Sequence, residues 1–130
     1  MQWKFSGDSP IYTQLIRQIK IGIVSGSYGP GERLPAVREL AAEAGVNPNT
    51  MQRSLTELER EGLVYSQRTA GRFVTEDAQV IETAKRELAC QYIRAFLEAM
   101  DGLGYDREQV TDLLRQESDK EEEANGNSGM

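Results

Sequence analysis

Residues 35–62 read PAVRELAAEAGVNPNTMQRSLTELEREG. Two helical patterns lie in this stretch, because apolar residues recur at helical spacing on both sides of Gly45, a residue type that commonly ends helices. The second pattern begins at Asn47 and Pro48, a capping residue followed by a proline in the first turn. A short helix, a three-residue turn and a second helix with one polar face are typical of a helix-turn-helix.

The sequence around this pair predicts a helix before it and a β-hairpin after it. Apolar residues at helical spacing indicate a first helix over roughly residues 10–25. After the helix pair, strand-forming residues stand on both sides of a turn at residues 67–71, which carries Arg68 and no acidic residue. We therefore predict a mainly α fold with a small β-hairpin, in which residues 1–75 form a winged helix-turn-helix domain.

Two more helices are predicted after this domain. A long pattern rich in apolar residues covers residues 79–100, and Asp106 with Gln109 resembles a capping box that begins a short last helix. The long helix has more apolar surface than a small winged helix would cover, so residues 76–117 are expected to form a helical dimerisation segment. The alternative is that this helix folds back on its own domain. The expected interface residues are Leu88, Tyr92, Ile93, Phe96 and Met100.

Charge is distributed unevenly along the chain. Residues 1–75 carry a formal charge of +2 and residues 76–130 one of −8, within a total of −6. The nearly neutral first part is free to meet a polyanion, whereas the acidic second part suggests a different task. Residues 118–130 contain too little apolar surface to offset the entropy of ordering, and they are predicted to be a disordered acidic tail.

The composition argues against several classes of function. The 130 residues include no His and one Cys, Cys90, which disfavours a Cys-rich zinc site, haem ligation and Ser-His-Asp catalysis. No apolar run approaches the roughly 20 residues that span a bilayer, and the N-terminus lacks the order of a signal peptide. We expect a cytoplasmic protein with a reduced Cys90, no membrane partner, no cofactor and no enzymatic activity.

The second helix of the pair carries side chains suited to DNA. Thr50 can donate to a phosphate or contact a thymine methyl, Gln52 can pair with adenine, and Arg53 can pair with guanine or phosphate. Arg38, at the start of the preceding helix, is expected beside a backbone phosphate. These features predict a DNA-binding protein. A winged-helix module that binds another protein is the alternative, and an enzyme is a more distant one.

Three segments in combination carry a family resemblance: PGERLPAVRELA at 30–41, GVNPNTMQRSL at 45–55 and LEREGLV at 58–64. Together they resemble the DNA-binding domain of the GntR family of bacterial transcriptional regulators. The resemblance implies a homodimer that binds a double-stranded palindromic operator, most often as a repressor, with its wing in the minor groove. The residues that it implies in DNA binding are Arg38, Asn47, Asn49, Thr50, Gln52 and Arg53, followed in the wing by Arg68, Thr69 and Gly71.

The chain departs from the family pattern at the wing tip. Many members have a Gly-x-Gly wing tip, whereas this chain has Thr69, Ala70 and Gly71, which affects how closely the backbone at residue 69 approaches DNA.

Only 55 residues follow position 75, too few for an effector-binding domain with its own core. A long helix followed by a short one is similar to the small YtrA-type members, in which these helices form the dimer interface. No small-molecule effector is identified by the sequence.

Overall fold

The computed structural model describes residues 2–128, with side chains as far as residue 124. It confirms the mainly helical fold with one antiparallel hairpin. Within the described residues, no helix combines the length and apolar character of a membrane span. The chain divides into an N-terminal unit that ends at Leu88 and a C-terminal unit that begins at Ala89. The elements are α1 (Ile11–Val24), α2 (Val37–Ala44), α3 (Pro48–Arg60), β1 (Val64–Gln67), β2 (Gly71–Val74), α4 (Ala78–Gly102) and α5 (Arg107–Ser128).

The predicted turn between α2 and α3 forms as the sequence indicates. Gly45 adopts a left-handed conformation with φ of 71°, which suits a residue without a Cβ at the end of a helix. Asn47 is the N-cap of α3, and its side-chain oxygen accepts a hydrogen bond from the backbone N–H of Asn49 at 2.8 Å. These two residues fix where α2 ends and where α3 begins.

A hydrophobic core holds the first three helices and the hairpin together. Met51, Leu55 and Leu58 present one face of α3 to this core and are almost completely buried. Burying a side chain of this size contributes about 1.5–3 kcal/mol relative to leaving it in water. The polar residues on the opposite face of α3 are therefore turned toward solvent. The other fully buried hydrophobic residues include Leu15, Ile19, Ile23, Leu40, Leu63, Val64 and Val74.

Strands β1 and β2 with their connecting turn, residues 64–74, are called the wing below. Val64 pairs with Val74 and Gln67 with Gly71 in antiparallel register. A third stretch of chain joins the sheet, since the N–H of Leu34 donates to the carbonyl of Arg72 at 2.9 Å. The wing is thereby attached to the segment that precedes α2.

An extended segment at the N-terminus is bonded to α1 through two glutamine side chains. The Gln18 amide accepts from the N–H of Lys4 at 3.0 Å and donates to the carbonyl of Lys4 at 2.6 Å. Gln14 does the same for Ser6, with both distances 2.8 Å. The alternate residues of the segment, Trp3 and Phe5, pack against the core.

The N-terminal unit extends beyond the boundary at residue 75 that the sequence predicts. Asp77 caps α4, because its carboxylate accepts from the N–H of Gln79 at 2.9 Å. Ala84 in the first part of α4 is buried in the core, and Val80 packs against it. The apolar residues of these first turns therefore belong to the winged-helix core, and the compact unit ends at Leu88.

The C-terminal unit contains the rest of α4 and α5. The predicted capping box is present, since Asp106 and Gln109 each accept the other's backbone N–H at 2.9 Å. α5 continues to Ser128, whereas the sequence predicts disorder over residues 118–130. Glu, Lys and Ala have high helix propensity, and Lys120 pairs with Glu117 one turn away at 3.5 Å, which favours helix where packing does not. Residues 129 and 130 of the predicted tail lie outside the described residues.

Candidate nucleic-acid interface

The outer face of α3 presents the polar side chains that the sequence predicts for DNA. Asn49, Gln52 and Arg53 are exposed, and Thr50 is half-buried. Asn47 differs from these residues, because its side-chain oxygen is engaged in capping the helix. The structure thus gives Asn47 a part in starting α3, in addition to any contact with a ligand.

Arg53 is supported by a residue of α1. Its guanidinium carbon lies 4.6 Å from the centroid of the Tyr12 ring. A cation over an aromatic face at this separation is attracted by the negative electrostatic potential of the ring. Tyr12 therefore restricts the orientation of Arg53 on the side of α3 that faces α1.

On its other side, α3 is joined to the wing by Arg72. The Nε of Arg72 donates to Oε1 of Glu59 at 2.8 Å, and the same carboxylate oxygen accepts from the hydroxyl of Ser66. Burial of the Glu59 carboxyl raises its pKa, but the hydrogen bonds from Ser66 and Arg72 and the positive charge of Arg72 outweigh this effect. The net result is a pKa of Glu59 below its ordinary value. Nη1 of Arg72 also lies 3.5 Å from Oε1 of Gln52.

The tip of the wing places the predicted residues on a tight turn. The N–H of Ala70 donates to the carbonyl of Gln67 at 3.1 Å, and Arg68 in this turn is exposed. Thr69 has a φ of 65°, in the left-handed region that β-branched residues rarely adopt. Gly71 has a φ of 108°, and a Cβ added to it would lie 3.1 Å from Nε of Arg33.

The N-terminal unit contains more arginines near the candidate interface than the sequence analysis identified. Arg38, the second residue of α2, is exposed as its predicted role requires. Arg33 is also exposed and lies beside Gly71 of the wing. Arg33, Arg72 and Tyr12 were missed by reasoning from the sequence, because their relation to the interface depends on contacts between distant segments. The GERLP motif around Arg33 was the one signal that pointed to any of them.

The residues predicted to form a dimer interface do not all share one environment. Leu88 is buried by its own chain, with 5% of its surface exposed, so it offers no surface to a second protomer. Tyr92 and Ile93 are 53% and 54% exposed, and Phe96 is 39% exposed. Met100 is half-buried. The exposed apolar surface of the C-terminal unit also includes Leu103, Tyr105 and Leu114.

The chain is similar to curated regulators of transcription. It is 37% identical over 115 residues to the uncharacterized HTH-type transcriptional regulator YhcF of Bacillus subtilis, covering 88% of this chain and 95% of that protein. It is 44% identical over 71 residues to the HTH-type transcriptional repressor YtrA of the same organism, covering 55% of each chain.

Two solved structures extend the comparison to the fold. A GntR family transcriptional regulator from Listeria monocytogenes superposes with a TM-score of 0.79 at 37% identity, covering 86% of this chain and 98% of that one. The DNA-binding domain of AraR, crystallised in complex with operator ORX1, has a TM-score of 0.53 at 29% identity. It covers 58% of this chain and 96% of the AraR domain.

Residues 11–74 match the family described as bacterial regulatory proteins, gntR family. This range runs from the start of α1 to the end of the wing, so it contains every element of the candidate interface. The relative YhcF matches along nearly its whole length. The chain therefore belongs to the gntR family of bacterial regulatory proteins, a family of winged-helix DNA-binding transcription regulators that are not enzymes.

Proposed function

We propose that this protein is a sequence-specific transcriptional repressor that binds a palindromic operator as a homodimer. In this proposal α3 enters the major groove, and the wing lies in or near the minor groove. The observation that carries the proposal is the outer face of α3, where exposed polar side chains lie beside the wing, which contacts α3 through Arg72. The operator complex of the AraR domain and the name of the YtrA repressor support it.

The side chains divide into those that bind the DNA backbone and those that read bases. Arg38 and the wing residue Arg68 carry positive charge suited to phosphates, which contribute affinity without sequence information. Gln52 and Arg53 have the hydrogen-bonding groups that discriminate base edges in the major groove. Further contacts are assigned to Asn49 and Thr50 of α3, and to Thr69 and Gly71 of the wing.

The homodimer is inferred from the apolar surface of the C-terminal unit. Tyr92, Ile93 and Phe96 expose large hydrophobic side chains on α4, and exposed apolar clusters of this kind commonly mark protein interfaces. Two-fold symmetry would pair this surface with itself and would present two α3 helices to two half-sites. The two α3 helices of such a dimer would have to reach half-sites about 34 Å apart, in successive major grooves of a palindromic operator. The dimer would repress by occupying its site.

The test is selection from a library of random DNA duplexes at roughly physiological salt, followed by sequencing of the retained DNA. We expect an inverted repeat with two half-sites. A single, unrepeated motif would contradict the dimeric mode of binding. Retention without any motif, or no retention, would contradict sequence-specific binding and favour a winged-helix module that binds another protein.

A further inference from the structure

We infer that Arg72, in strand β2 of the wing, is a positioning residue that sets the base preference of Gln52 in α3. The inference rests on the proposed function, because it concerns which base α3 selects once it lies in a major groove. Arg72 is 20 residues from Gln52 in sequence and lies outside the helix-turn-helix. It therefore joins the wing to base recognition by a route other than contact with the minor groove.

The place of the Arg72 guanidinium is fixed by its partners. Nε donates to Oε1 of Glu59 at 2.8 Å, and Ser66 donates to the same oxygen. The Arg72 side chain is 18% exposed and that of Glu59 is 27% exposed. A charge-assisted hydrogen bond that is largely shielded from water holds its groups more firmly than a surface ion pair does. Arg72 thus presents its remaining N–H groups toward α3 in a defined direction.

This direction determines which end of the Gln52 amide faces outward. Nη1 of Arg72 lies 3.5 Å from Oε1 of Gln52, a long contact between a positive donor and an acceptor. A guanidinium has donors and no acceptor, so the favourable orientation of the amide turns its oxygen toward Arg72 and its NH₂ group away. In this orientation Gln52 offers DNA a donor.

A glutamine used in this way does not favour the base that the sequence suggested. Recognition of adenine by glutamine requires both ends of the amide, because the oxygen accepts from N6 and the nitrogen donates to N7. With its oxygen facing Arg72, Gln52 has only its NH₂ donor for DNA. This donor suits guanine, because guanine presents two acceptors, O6 and N7, and no donor in the major groove. Arg72 therefore shifts the preference of Gln52 away from adenine.

The experiment compares duplex selections by the full chain and by its variants. Gln52→Ala identifies the base pair that Gln52 reads. At that position the wild type is expected to select a G·C pair, and Arg72→Lys to raise selection of an A·T pair about tenfold. A wild type that selects an A·T pair there would overturn the inference. Lysine keeps the charge and can still pair with Glu59, but it lacks the planar fork that reaches both partners. Arg72→Met tests the loss of all donors, and thermal unfolding checks that each variant folds.

Controls separate this role from general effects of the wing. Arg68→Ala removes a positive charge from the wing without touching Gln52, so it should weaken binding and leave the selected base unchanged. In a Gln52→Ala background, Arg72→Lys should change the motif no further. A further change there would mean that Arg72 reads DNA directly, which would overturn the inference.

The remaining outcomes are distinguishable. If the wild type selects no motif, the proposed function itself fails. If the wild type selects a motif but Arg72→Lys leaves the base at the Gln52 position unchanged, only the inference is overturned. The same holds if Gln52→Ala alters no position of the motif, because Gln52 would then read no base. Should Arg72→Met not fold, Arg72→Lys, which keeps charge and bulk, decides the question.

Discussion

The guanidinium carbon of Arg53 lies 4.6 Å from the centroid of the Tyr12 ring, so a residue of α1 supports a residue of the proposed recognition helix. This contact contributes about 0.5–1 kcal/mol at exposed sites. Because it limits the orientations of Arg53 before DNA is present, it also reduces the entropy lost on binding. Tyr12, a residue outside α3, therefore orients part of the proposed base-reading surface before DNA binds.

Replacing Tyr12 with leucine should weaken binding to the selected operator about two- to fivefold, because Arg53 loses the aromatic face that orients it. Tyr12→Phe keeps the ring and should bind as the wild type does. Fluorescence anisotropy titrations at one salt concentration would measure both affinities. Equal affinities of the leucine and phenylalanine variants would show that the ring does not support binding.

Arg38→Ala should weaken binding to every DNA sequence and make binding less sensitive to salt. Loss of one phosphate contact lowers the slope of log K against log salt by about one. Arg86→Ala is the matched control, since Arg86 is an exposed arginine of the same unit but lies on α4. A change of sequence preference at an unaltered slope would contradict the assignment of Arg38 to a phosphate.

Phe96→Glu should convert the proposed dimer into a monomer, because it would place two charges in an apolar interface. Ile11→Glu provides a control, as Ile11 and Phe96 are each 39% exposed and only Phe96 lies in the C-terminal unit. Sedimentation velocity would report the mass of both variants. A dimer that survives Phe96→Glu, or a wild type that is monomeric, would rule out this interface.

Thr69→Gly should stabilise the protein by about 1 kcal/mol, because it relieves a left-handed backbone conformation that penalises a residue with a Cβ. Thr69→Ala keeps the Cβ and should gain much less. Urea denaturation would show the gain as a higher midpoint at an unchanged slope. If the alanine variant were stabilised as much as the glycine variant, backbone strain at residue 69 would not be the cause.

The depressed pKa of Glu59 predicts that the free energy of unfolding depends on pH in the acid range. Its pKa is depressed in the folded protein, so its contribution is present above the unfolded pKa of about 4.3 and is lost as the pH falls through the folded pKa. Glu59→Gln lacks this group, so the stability advantage of the wild type should shrink as the pH falls from about 5 through the depressed folded pKa. Ser66→Ala should reduce the advantage in part. Chemical unfolding of the wild type and the variants across this range would measure their free energies of unfolding. Parallel curves of free energy against pH would show that ionised Glu59 does not stabilise the fold.

The starts of α3 and α5 were predictable because adjacent residues determine them. Asn47 and Pro48 mark the start of α3, and the reciprocal bonds of Asp106 and Gln109 mark the start of α5. The C-terminal limit of α5 was not predictable in the same way. The composition of residues 118–130 indicates that they cannot pack, but a segment without packing can still be helical through its local propensity.

The candidate interface was predictable where the local sequence determines exposure, on α3, at Arg38 and at the tip of the wing. The exposed face of α3 follows from the spacing of Met51, Leu55 and Leu58, since residues opposite a buried stripe face solvent. The contacts of Arg53 with Tyr12 and of Arg72 with Glu59 join segments that are far apart in sequence. Such contacts depend on how helices and strands pack, and helical periodicity carries no information about them.

The hydrogen bonds that join Gln14 and Gln18 to the extended N-terminal segment form because the spacing of residues along a helix agrees with the spacing along an extended chain. Four residues of helix rise about 6 Å, and two residues of extended chain advance nearly the same distance. The same spacing that bonds Lys4 and Ser6 to these glutamines also turns Trp3 and Phe5 toward the core. The segment therefore tolerates substitution better than a change of length. One residue inserted or deleted between positions 3 and 6 would force the chain to lose either its glutamine bonds or its aromatic packing.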